Sequence, residues 1–330
     1  MTAEDPQNSV DLASAVELTS EAIVFHGTKE VTLDRLSLKP LQDGDLVVDV
    51  AWSGVSAGTE RLLWSGRMPA FPGLSYPLVP GYEAVGRVVH AEGDPSWLGA
   101  HVFVPGATCY ESAVGLFGAS ASRLIVPKDR AIRLDDAGTQ SDILLALAAT
   151  AHHAIALGPL PQLIIGHGVL GQLMARLVLA LGGQAPIIWE TDPARHKSTG
   201  YIVIHPDDDK HFAYAHICDV SGNVTAFDTA IAHAMKGAQI TLAGFYSARV
   251  SFDFPPAFMR EMSFRIASEW QPADMEAVLM LKRKGLLSLD GLITHMHAPV
   301  DAEHAYRTAF ETSGCLKMVL DWRAHHDDLA

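Results

Sequence analysis

Cysteines, basic residues and long apolar runs are all scarce in this sequence, and each shortage excludes a class of protein. The three cysteines, Cys109, Cys218 and Cys315, are widely spaced and odd in number, so they form neither a CxxC metal pair nor a disulfide framework. Such sparse usage is typical of the reducing cytoplasm, where we expect the protein to reside. No stretch approaches the roughly 18 uninterrupted apolar residues of a membrane-spanning helix, and the acidic N-terminus lacks the pattern of a signal peptide. We therefore expect no integral membrane segment.

Acidic residues clearly outnumber basic ones. The sequence has 38 aspartates and glutamates against 24 lysines and arginines, which gives a formal net charge of −14. A protein that binds nucleic acid needs a basic face to neutralise phosphates. We therefore expect no nucleic-acid partner, although a few local arginines can still attract a small anion against the overall field.

The hydrophobic pattern divides the chain into parts with different expected structures. Residues 1–18 are polar and predict a flexible leader. From Glu21 to about Lys128, short alternating apolar runs are separated by glycine and proline, which predicts a β-rich domain of the barrel type. Beyond about residue 160, apolar strands such as LIIG and APIIWE alternate with helical patterns, which predicts a parallel sheet with helices on both faces. The expected fold class is therefore α/β with two domains.

A glycine motif follows the first strand of the predicted parallel sheet. Gly166, Gly168 and Gly171 form G-x-G-x-x-G, with Val169 and Leu170 between the last two, at the start of an apolar helix. The first glycine permits a tight turn, the second lets the backbone approach a pyrophosphate, and the third allows close helix–strand packing. The free N–H groups and positive dipole at the helix N-terminus favour phosphate. This context predicts a dinucleotide-binding, or Rossmann, domain rather than a plain glycine turn.

An acidic residue in the next strand indicates which dinucleotide is bound. Glu190 lies 19 residues after Gly171, at the end of APIIWE. A carboxylate at this position accepts hydrogen bonds from the adenosine ribose and repels a 2′-phosphate, so it favours NAD over NADP. Asp192 is an alternative for this role, and Arg195 is a basic residue that a 2′-phosphate would attract.

Several further motifs resemble those of the medium-chain dehydrogenase/reductase superfamily. The segments SGVSAGTE, PLVPGYEAVGRV, ATAHHA and AMKGAQITLAGFY follow one another in the order of that family. The resemblance covers nearly the whole chain and implies a GroES-like catalytic barrel, a Rossmann domain and a C-terminal return to the barrel. We accordingly expect a catalytic domain of residues 19–152 and 293–330 and a Rossmann domain of residues 153–292.

The resemblance fails at the positions where zinc-containing members of the superfamily bind their catalytic metal. The ligand cysteine and histidine are replaced by Ala57 and Tyr82, although their separation of 25 residues is retained. Alanine offers no lone pair and a neutral phenol is a poor zinc ligand. The four clustered cysteines of a structural zinc site are also missing. A substitute site built from histidines such as His295 and His297 is less plausible than packing or surface histidines, so we expect no metal.

A narrower resemblance concerns the segments VSAGTERLLWSGRMPAFPGLSYPLVPGYEAVGRV and FDFPPAFMREMSFRIASEW. They are similar to the zinc-lacking dehydrogenases of bacteriochlorophyll biosynthesis. This similarity implies a tetrapyrrole substrate whose 1-hydroxyethyl side chain is oxidised to acetyl while NAD accepts hydride. The carbinol carbon of such a substrate is benzylic in character, so its oxidation needs less Lewis-acid help than that of a simple alcohol.

Candidate proton-handling residues lie where the resemblance would place the metal. Thr59 occupies the family's relay hydroxyl position and either contacts the substrate oxygen, as its first-choice role, or forms a hydrogen bond within its own turn. Tyr82 either donates or accepts a proton or simply fills the vacated metal volume. Glu60 and Glu83 match acids near the metal in the zinc enzymes, and each is either a base or a member of a buried ion pair. His153, with its neighbour His152, is a further candidate for moving protons at neutral pH.

The resemblance also implies cofactor-binding residues outside the glycine motif. Lys317, in the last predicted strand, resembles the basic residue that reaches the pyrophosphate. The other positions implied in this way are Thr150, Ser221, Gly244 and Phe245.

Substrate contacts and assembly are less specifically indicated. The stretches 62–77 and 245–259 combine aromatic residues with proline, glycine and methionine, as expected of loops around a flat apolar macrocycle or of ordinary loop packing. A propionate carboxylate has four candidate arginines, which are Arg61, Arg67, Arg249 and Arg260.

A homodimer is an expectation from the superfamily. Two alternative functions stay open, a zinc-independent quinone or enone reductase and a non-catalytic tetrapyrrole-binding protein on the same scaffold.

Overall fold

The structure is a computed structural model that describes residues 18–135 and 137–326. The predicted leader, apart from Leu18, lies outside the described residues. Within them, no helix combines the length and apolar character needed to cross a membrane.

The first part of the chain forms two mainly antiparallel sheets. Its elements are β1 (Thr19–Gly27), β2 (Glu30–Ser37), β3 (Asp45–Val55), α1 (Thr59–Trp64), β4 (Leu78–Val79), β5 (Ala84–Ala91), β6 (His101–Val104), β7 (Val114–Gly115), β8 (Arg123–Pro127) and β9 (Ile132–Arg133). One sheet has the order β2-β1-β4-β7. The other is centred on β3, which pairs antiparallel with β5 and β8.

The middle of the chain forms a six-stranded parallel sheet with helices. Its elements are α2 (Leu145–Ala156), β10 (Leu163–Ile165), α3 (Val169–Ala180), β11 (Ile187–Trp189), β12 (Ile202–Ile204), β13 (Tyr214–Asp219), α4 (Phe227–His233), β14 (Ala234–Leu242), α5 (Phe254–Met259), β15 (Ser263–Ile266) and α6 (Pro272–Arg283). The strand order is β12-β11-β10-β13-β14-β15. Because the order reverses between β10 and β13, a ligand is expected outside the carboxyl ends of these two strands. The predicted α/β fold class is confirmed.

The C-terminal segment returns to the first part of the molecule. It contains β16 (His295–His297), α7 (Ala302–Glu311) and β17 (Met318–Asp321). β17 pairs antiparallel with β3 and parallel with β16. The β3 sheet therefore has seven strands, with β16 and β17 at one side and β8 attached to β3.

One apolar core joins the antiparallel and parallel sheets. It combines Val85, Phe103 and Val319 of the β3 sheet with Ile164 of β10 and with buried side chains of α2 and α3. Helix α2 lies within this core, and the expected domain boundary at residue 152 falls inside the helix. Burial of both units in one core fixes the glycine motif relative to the β3 sheet.

Some short helices and edge strands were not predicted from the sequence, and the structure explains why. The stretches 62–77 and 245–259, expected to be loops, contain part of α1 and the whole of α5, each of which has only six residues and so shows little periodicity. The edge strands β2 and β15 were not predicted because most of their side chains are half-buried or exposed. No α-helix separates β11 from β12, which are joined through the 3₁₀ turn Pro193–Arg195.

Candidate active site

The glycine motif forms an open cradle at the N-terminus of α3. Gly166 has a φ of +103°, and a Cβ added there would lie 3.0 Å from Cα of Ser221. A Cβ on Gly171 would overlap the carbonyl oxygen of Gly166, whereas one on Gly168 would enter open space. Gly168 caps the helix without a side-chain hydrogen bond, so the first N–H groups of α3, from Val169 onward, have no capping side chain. These features fit the pyrophosphate of a dinucleotide.

Glu190 lies beside this cradle at the end of β11. One carboxylate oxygen accepts the backbone N–H of His167 at 3.1 Å, and the other accepts that of Asp192 at 2.9 Å. Each oxygen has further acceptor capacity, so the carboxylate is oriented yet still able to bind hydroxyl groups. The guanidinium of Arg195 donates to the carbonyl of Ser313 at 2.9 Å instead of lying free for a phosphate.

His167, between the first two glycines, was not identified from the sequence. The side chain is buried, and burial lowers the pKa of its imidazole. Nδ1 donates to the carbonyl of Arg195 at 2.5 Å, so the neutral ring accepts from the Tyr201 hydroxyl at Nε2, 3.0 Å away. His167 thus ties the glycine turn to the segment that follows Glu190.

Three predicted cofactor residues lie at the carboxyl edge of the parallel sheet. Asp219, which ends β13, accepts both the backbone N–H and the hydroxyl of Ser221 at 2.8 and 2.7 Å. The carbonyl of Asp219 also accepts the N–H of Gly244 at 3.1 Å. Phe245 follows with a side chain that is 58% exposed. The structure therefore brings Ser221, Gly244 and Phe245 together at this edge, whereas the Thr150 hydroxyl donates to the Ala146 carbonyl within α2.

A partly buried group of hydroxyls lies where the resemblance would place the catalytic zinc. The Tyr82 phenol donates to Oγ of Ser56 at 2.7 Å, and the Thr59 side chain lies close enough to lower the pKa of Tyr82 slightly. Burial, with the nearby Glu83 carboxylate, raises the pKa of Tyr82. The phenol therefore stays protonated near neutral pH and serves as a hydrogen-bond donor. We call Ser56, Thr59 and Tyr82 the hydroxyl cluster.

Glu60 lies beneath the hydroxyl cluster and is 1% exposed. Its carboxyl group accepts the Ser56 N–H and the Tyr306 hydroxyl, each at 2.9 Å. Removal from water raises the pKa of Glu60 to about 8, despite these two hydrogen bonds. The carboxyl group is thus mainly neutral at pH 7.

Glu83 and Lys317 form a buried ion pair next to these groups. Both side chains are almost fully buried, and a Cβ on Gly54 would overlap the Glu83 carboxylate. Burial raises the pKa of Glu83, while Lys317 lowers it. Of the two roles considered for Glu83, the structure favours the ion pair. The Lys317 ammonium, expected at the pyrophosphate, is held by Glu83 instead.

The two histidines of α2 form hydrogen bonds to a residue outside the hydroxyl cluster. Nδ1 of His152 and Nδ1 of His153 each lie 2.8 Å from a different carboxylate oxygen of Asp274. Asp274 also accepts the backbone N–H of Gln271 and so caps α6. This arrangement favours a role in packing α2 against α6 over the proton shuttle considered for His153.

The residues at the two expected ligand positions do not fit zinc. Ala57 has no donor atom, and the Tyr82 phenol is protonated and committed to Ser56. Across residues 18–135 and 137–326, no group of three or more histidine, cysteine, aspartate or glutamate side chains is placed to hold a metal ion.

The hydroxyl cluster and the cradle face the same apolar core. Tyr82 packs against that core together with Val169 and Leu170 of the glycine motif, and with Val220 and Ala243 at the ends of β13 and β14. A dinucleotide cradle and a set of hydroxyls are the two groups required for removal of hydride and proton from an alcohol.

Comparison with known proteins identifies the family. Residues 42–136 match the family model described as the alcohol dehydrogenase GroES-like domain. Over 311 residues the chain is 49% identical to the 2-desacetyl-2-hydroxyethyl bacteriochlorophyllide A dehydrogenase of Rhodobacter capsulatus, an alignment that covers 93% of this chain and 99% of the relative. The chain belongs to this dehydrogenase family. The family in turn belongs to the medium-chain dehydrogenases.

A second member of the family is similarly close. The protein of the same name from Cereibacter sphaeroides is 47% identical over 316 residues, with 93% of this chain and 99% of the relative covered. Among solved structures, L-idonate 5-dehydrogenase from Escherichia coli superimposes with a TM-score of 0.81 at 17% identity. That alignment covers 93% of this chain and 99% of the other, and at this identity it supports the fold alone.

Proposed function

We propose that this protein oxidises the 3-(1-hydroxyethyl) group of a bacteriochlorophyllide to 3-acetyl, with NAD as hydride acceptor, in bacteriochlorophyll biosynthesis. The observation that carries this proposal is the 49% identity, over 93% of the chain, to a relative named for this kind of substrate. The dinucleotide cradle and the hydroxyl cluster supply the two functions that such an oxidation requires.

The cradle is proposed to hold the dinucleotide. Backbone N–H groups at the start of α3, after Gly168, bind the pyrophosphate, and Glu190 binds the adenosine ribose. A 2′-phosphate would meet the Glu190 carboxylate, so NADP is disfavoured. Ser221, Gly244 and Phe245, at the carboxyl edge of β13 and β14, would contact the nicotinamide end of the dinucleotide.

The hydroxyl cluster is proposed to bind the substrate alcohol. The oxidation removes the carbinol hydrogen with its bonding electron pair, which the nicotinamide accepts, and it releases the hydroxyl proton. Thr59 and Tyr82 hydrogen-bond to the substrate oxygen, and the proton is passed among the three hydroxyls and released to water at the half-buried Thr59, since Ser56 is buried. Because all three groups are hydroxyls, each can accept one proton while it donates another, so no protein side chain needs to carry a lasting charge.

The reacting carbon makes this metal-free arrangement adequate. A carbinol carbon attached to a conjugated macrocycle is benzylic, so the ring stabilises positive charge as hydride leaves. The product ketone is conjugated with the ring as well. The protein therefore needs to position the substrate and move a proton, without the stronger polarisation that a metal gives to an unactivated alcohol.

Turnover of the purified protein tests the proposal. The protein is mixed with NAD and 3-(1-hydroxyethyl) bacteriochlorophyllide a, and NADH absorbance is followed together with the shift of the ring spectrum. One NADH per acetyl product is expected, with NADP much less effective. Oxidation of NADPH by quinones or enones without pigment turnover would favour the reductase alternative. Tight pigment binding without turnover would favour the carrier.

Assembly and location are part of the same proposal. β15 forms an edge of the parallel sheet, and Phe264 and Ile266 on it are exposed. We propose a cytoplasmic homodimer that covers this edge with a second copy. Analytical ultracentrifugation should give twice the chain mass, and Ile266→Lys should shift the protein to monomer.

A further inference from the structure

Phe117 is an exposed aromatic residue directly beside the hydroxyl cluster. Its ring lies edge to face with the ring of Tyr82, with centroids 5.7 Å apart and an interplanar angle of 86°. The side chain is 38% exposed, whereas Leu116 before it is buried. Phe117 is not among the residues selected from the sequence, because nothing in the local pattern of SAVGLFGAS relates it to Tyr82.

Backbone hydrogen bonds fix Phe117 relative to Tyr82. The N–H groups on either side of it, from Leu116 and Gly118, both donate to the carbonyl of Val79, at 2.9 and 3.0 Å. Its own carbonyl accepts the N–H of Ala107 at 2.8 Å. Since Val79 lies only three residues before Tyr82, the two rings are held by one short piece of backbone.

Two glycines allow the segment around Phe117 to pack closely against the neighbouring backbone. Gly106 and Gly118 have φ values of +126° and +81°. A Cβ on Gly106 would lie 2.6 Å from the carbonyl oxygen of Phe117, and one on Gly118 would overlap the carbonyl of Ala107. The segment is therefore packed backbone against backbone. The Phe117 ring is held in place by the fold before any ligand arrives, so binding on it costs little conformational entropy.

We infer that Phe117 is a stacking platform for the planar ring of the substrate and thereby determines specificity for a macrocycle. The inference rests on the function proposed above. A macrocycle with its hydroxyethyl group at Thr59 and Tyr82 extends far beyond that group, and Phe117 offers an exposed aromatic ring in contact with Tyr82. Stacking would remove the remaining exposed part of the ring from water and add an aromatic contact. Residue 117 would then select a large flat substrate over a small alcohol.

Pigment binding measured without turnover tests this inference. The dissociation constant of 3-(1-hydroxyethyl) bacteriochlorophyllide a is obtained from its absorption spectrum for the wild type, Phe117→Ala, Phe117→Leu and Phe117→Tyr. We expect Phe117→Ala to weaken binding about tenfold, Phe117→Leu to recover only part of this loss, and Phe117→Tyr to recover most of it. The matched control is Phe212→Ala, because Phe212 is also exposed but precedes β13 at the amino edge of the sheet, where it stacks on His233.

The outcomes separate this inference from the proposed function. An unchanged dissociation constant in Phe117→Ala, in a protein whose wild type oxidises the pigment, would overturn the platform alone. Weakened binding in the variant, with no oxidation by the wild type, would support the platform and reject the dehydrogenase activity. Equal losses in Phe117→Ala and Phe212→Ala would also overturn the inference. NAD affinity, measured for each variant, shows whether the protein is folded.

Discussion

The Tyr82 phenol donates a hydrogen bond to Oγ of Ser56 at 2.7 Å, at the position where the resemblance to zinc enzymes would place a histidine ligand. Burial raises the pKa of the phenol, so it remains a donor across the physiological range. The backbone N–H of Ser56 donates in turn to Glu60. The residue at this position therefore belongs to a hydrogen-bonded set of hydroxyls, on which the predictions for catalysis depend.

Removal of the Tyr82 hydroxyl is predicted to slow the reaction while leaving cofactor binding intact. Tyr82→Phe keeps the ring against Phe117 but removes the bond to Ser56, and kcat should fall by about a factor of 10². Thr59→Val should also lower kcat, with Thr59→Ser restoring most of it. The dissociation constant of NAD, measured by fluorescence, should stay within about twofold of wild type in all three variants.

Tyr214→Phe is the matched control for Tyr82→Phe. The Tyr214 hydroxyl donates to the Asp209 carboxylate at 2.7 Å, outside the hydroxyl cluster and outside both candidate substrate stretches. Its loss should cost about 1–3 kcal/mol of stability and leave kcat near the wild-type value. Full activity of both Tyr82→Phe and Thr59→Val would remove the cluster from the mechanism.

Cofactor preference is predicted to depend on Glu190. Replacement by glutamine retains acceptor capacity but removes the charge that opposes a 2′-phosphate. Glu190→Gln should therefore improve the ratio of NADP to NAD affinity by about tenfold, measured by titration of both nucleotides. Asp192→Asn is the matched control and tests the alternative residue, because the Asp192 carboxylate accepts the Ala194 N–H instead of facing His167. An equal shift in Asp192→Asn would contradict the assignment of this discrimination to Glu190.

The local part of the site could be predicted from the sequence, and the nonlocal part could not. Gly166, Gly168 and Gly171 lie within a single turn, so their roles follow from spacing and from the strand and helix around them. In contrast, Tyr306 reaches Glu60 across 246 positions of sequence. Only the return of the C-terminal segment to the β3 sheet creates that contact.

Two of the expected roles involve side chains whose hydrogen-bond or ion-pair partners in the structure come from other elements. Lys317 was expected at a pyrophosphate, but a buried ammonium needs a counter-charge and Glu83 supplies it. His153 was a candidate proton carrier, yet its Nδ1 lies on Asp274 at the start of α6. Residue type and position in the chain suggest each role equally well, and only the packing decides between them.

Protein stability is predicted to fall between about pH 4.5 and pH 8 through Glu60. Burial raises its pKa from 4.5 to about 8, so the folded chain binds this proton more tightly than the unfolded chain. The resulting stabilisation is complete below pH 4.5 and is lost as the pH rises through 8. One such group contributes a slope of up to about 1.4 kcal/mol per pH unit in the free energy of unfolding.

Denaturant unfolding at several pH values checks the contribution of Glu60. Glu60→Gln is neutral at every pH, so its free energy of unfolding should depend less steeply on pH than that of the wild type between pH 5 and pH 8. Glu303→Gln is a suitable control because Glu303 is exposed on α7, where it pairs with Arg307. Parallel pH profiles for the wild type and Glu60→Gln would disprove the raised pKa.

The buried pair of Glu83 and Lys317 is predicted to be strongly coupled. Glu83→Gln or Lys317→Met alone leaves one buried group without its partner and should cost about 3–5 kcal/mol of stability. The double variant removes both charges and should recover much of this loss. Lys236→Ala provides the contrast, since its pair with Glu261 is exposed and should contribute less than about 1 kcal/mol. Additive losses in the double variant would contradict the coupling.

In the proposed mechanism, hydroxyl side chains take the place of a metal ion and accept the proton when an alcohol is oxidised with NAD. Its most direct test is turnover of 3-(1-hydroxyethyl) bacteriochlorophyllide a by protein exhaustively treated with a chelator, with metal content measured on the same sample. We expect one NADH per acetyl product at an undiminished rate, and a rate about 10²-fold lower in Tyr82→Phe. Turnover that disappears on chelation and returns with stoichiometric zinc bound beside Ala57 and Tyr82 would contradict the proposed mechanism.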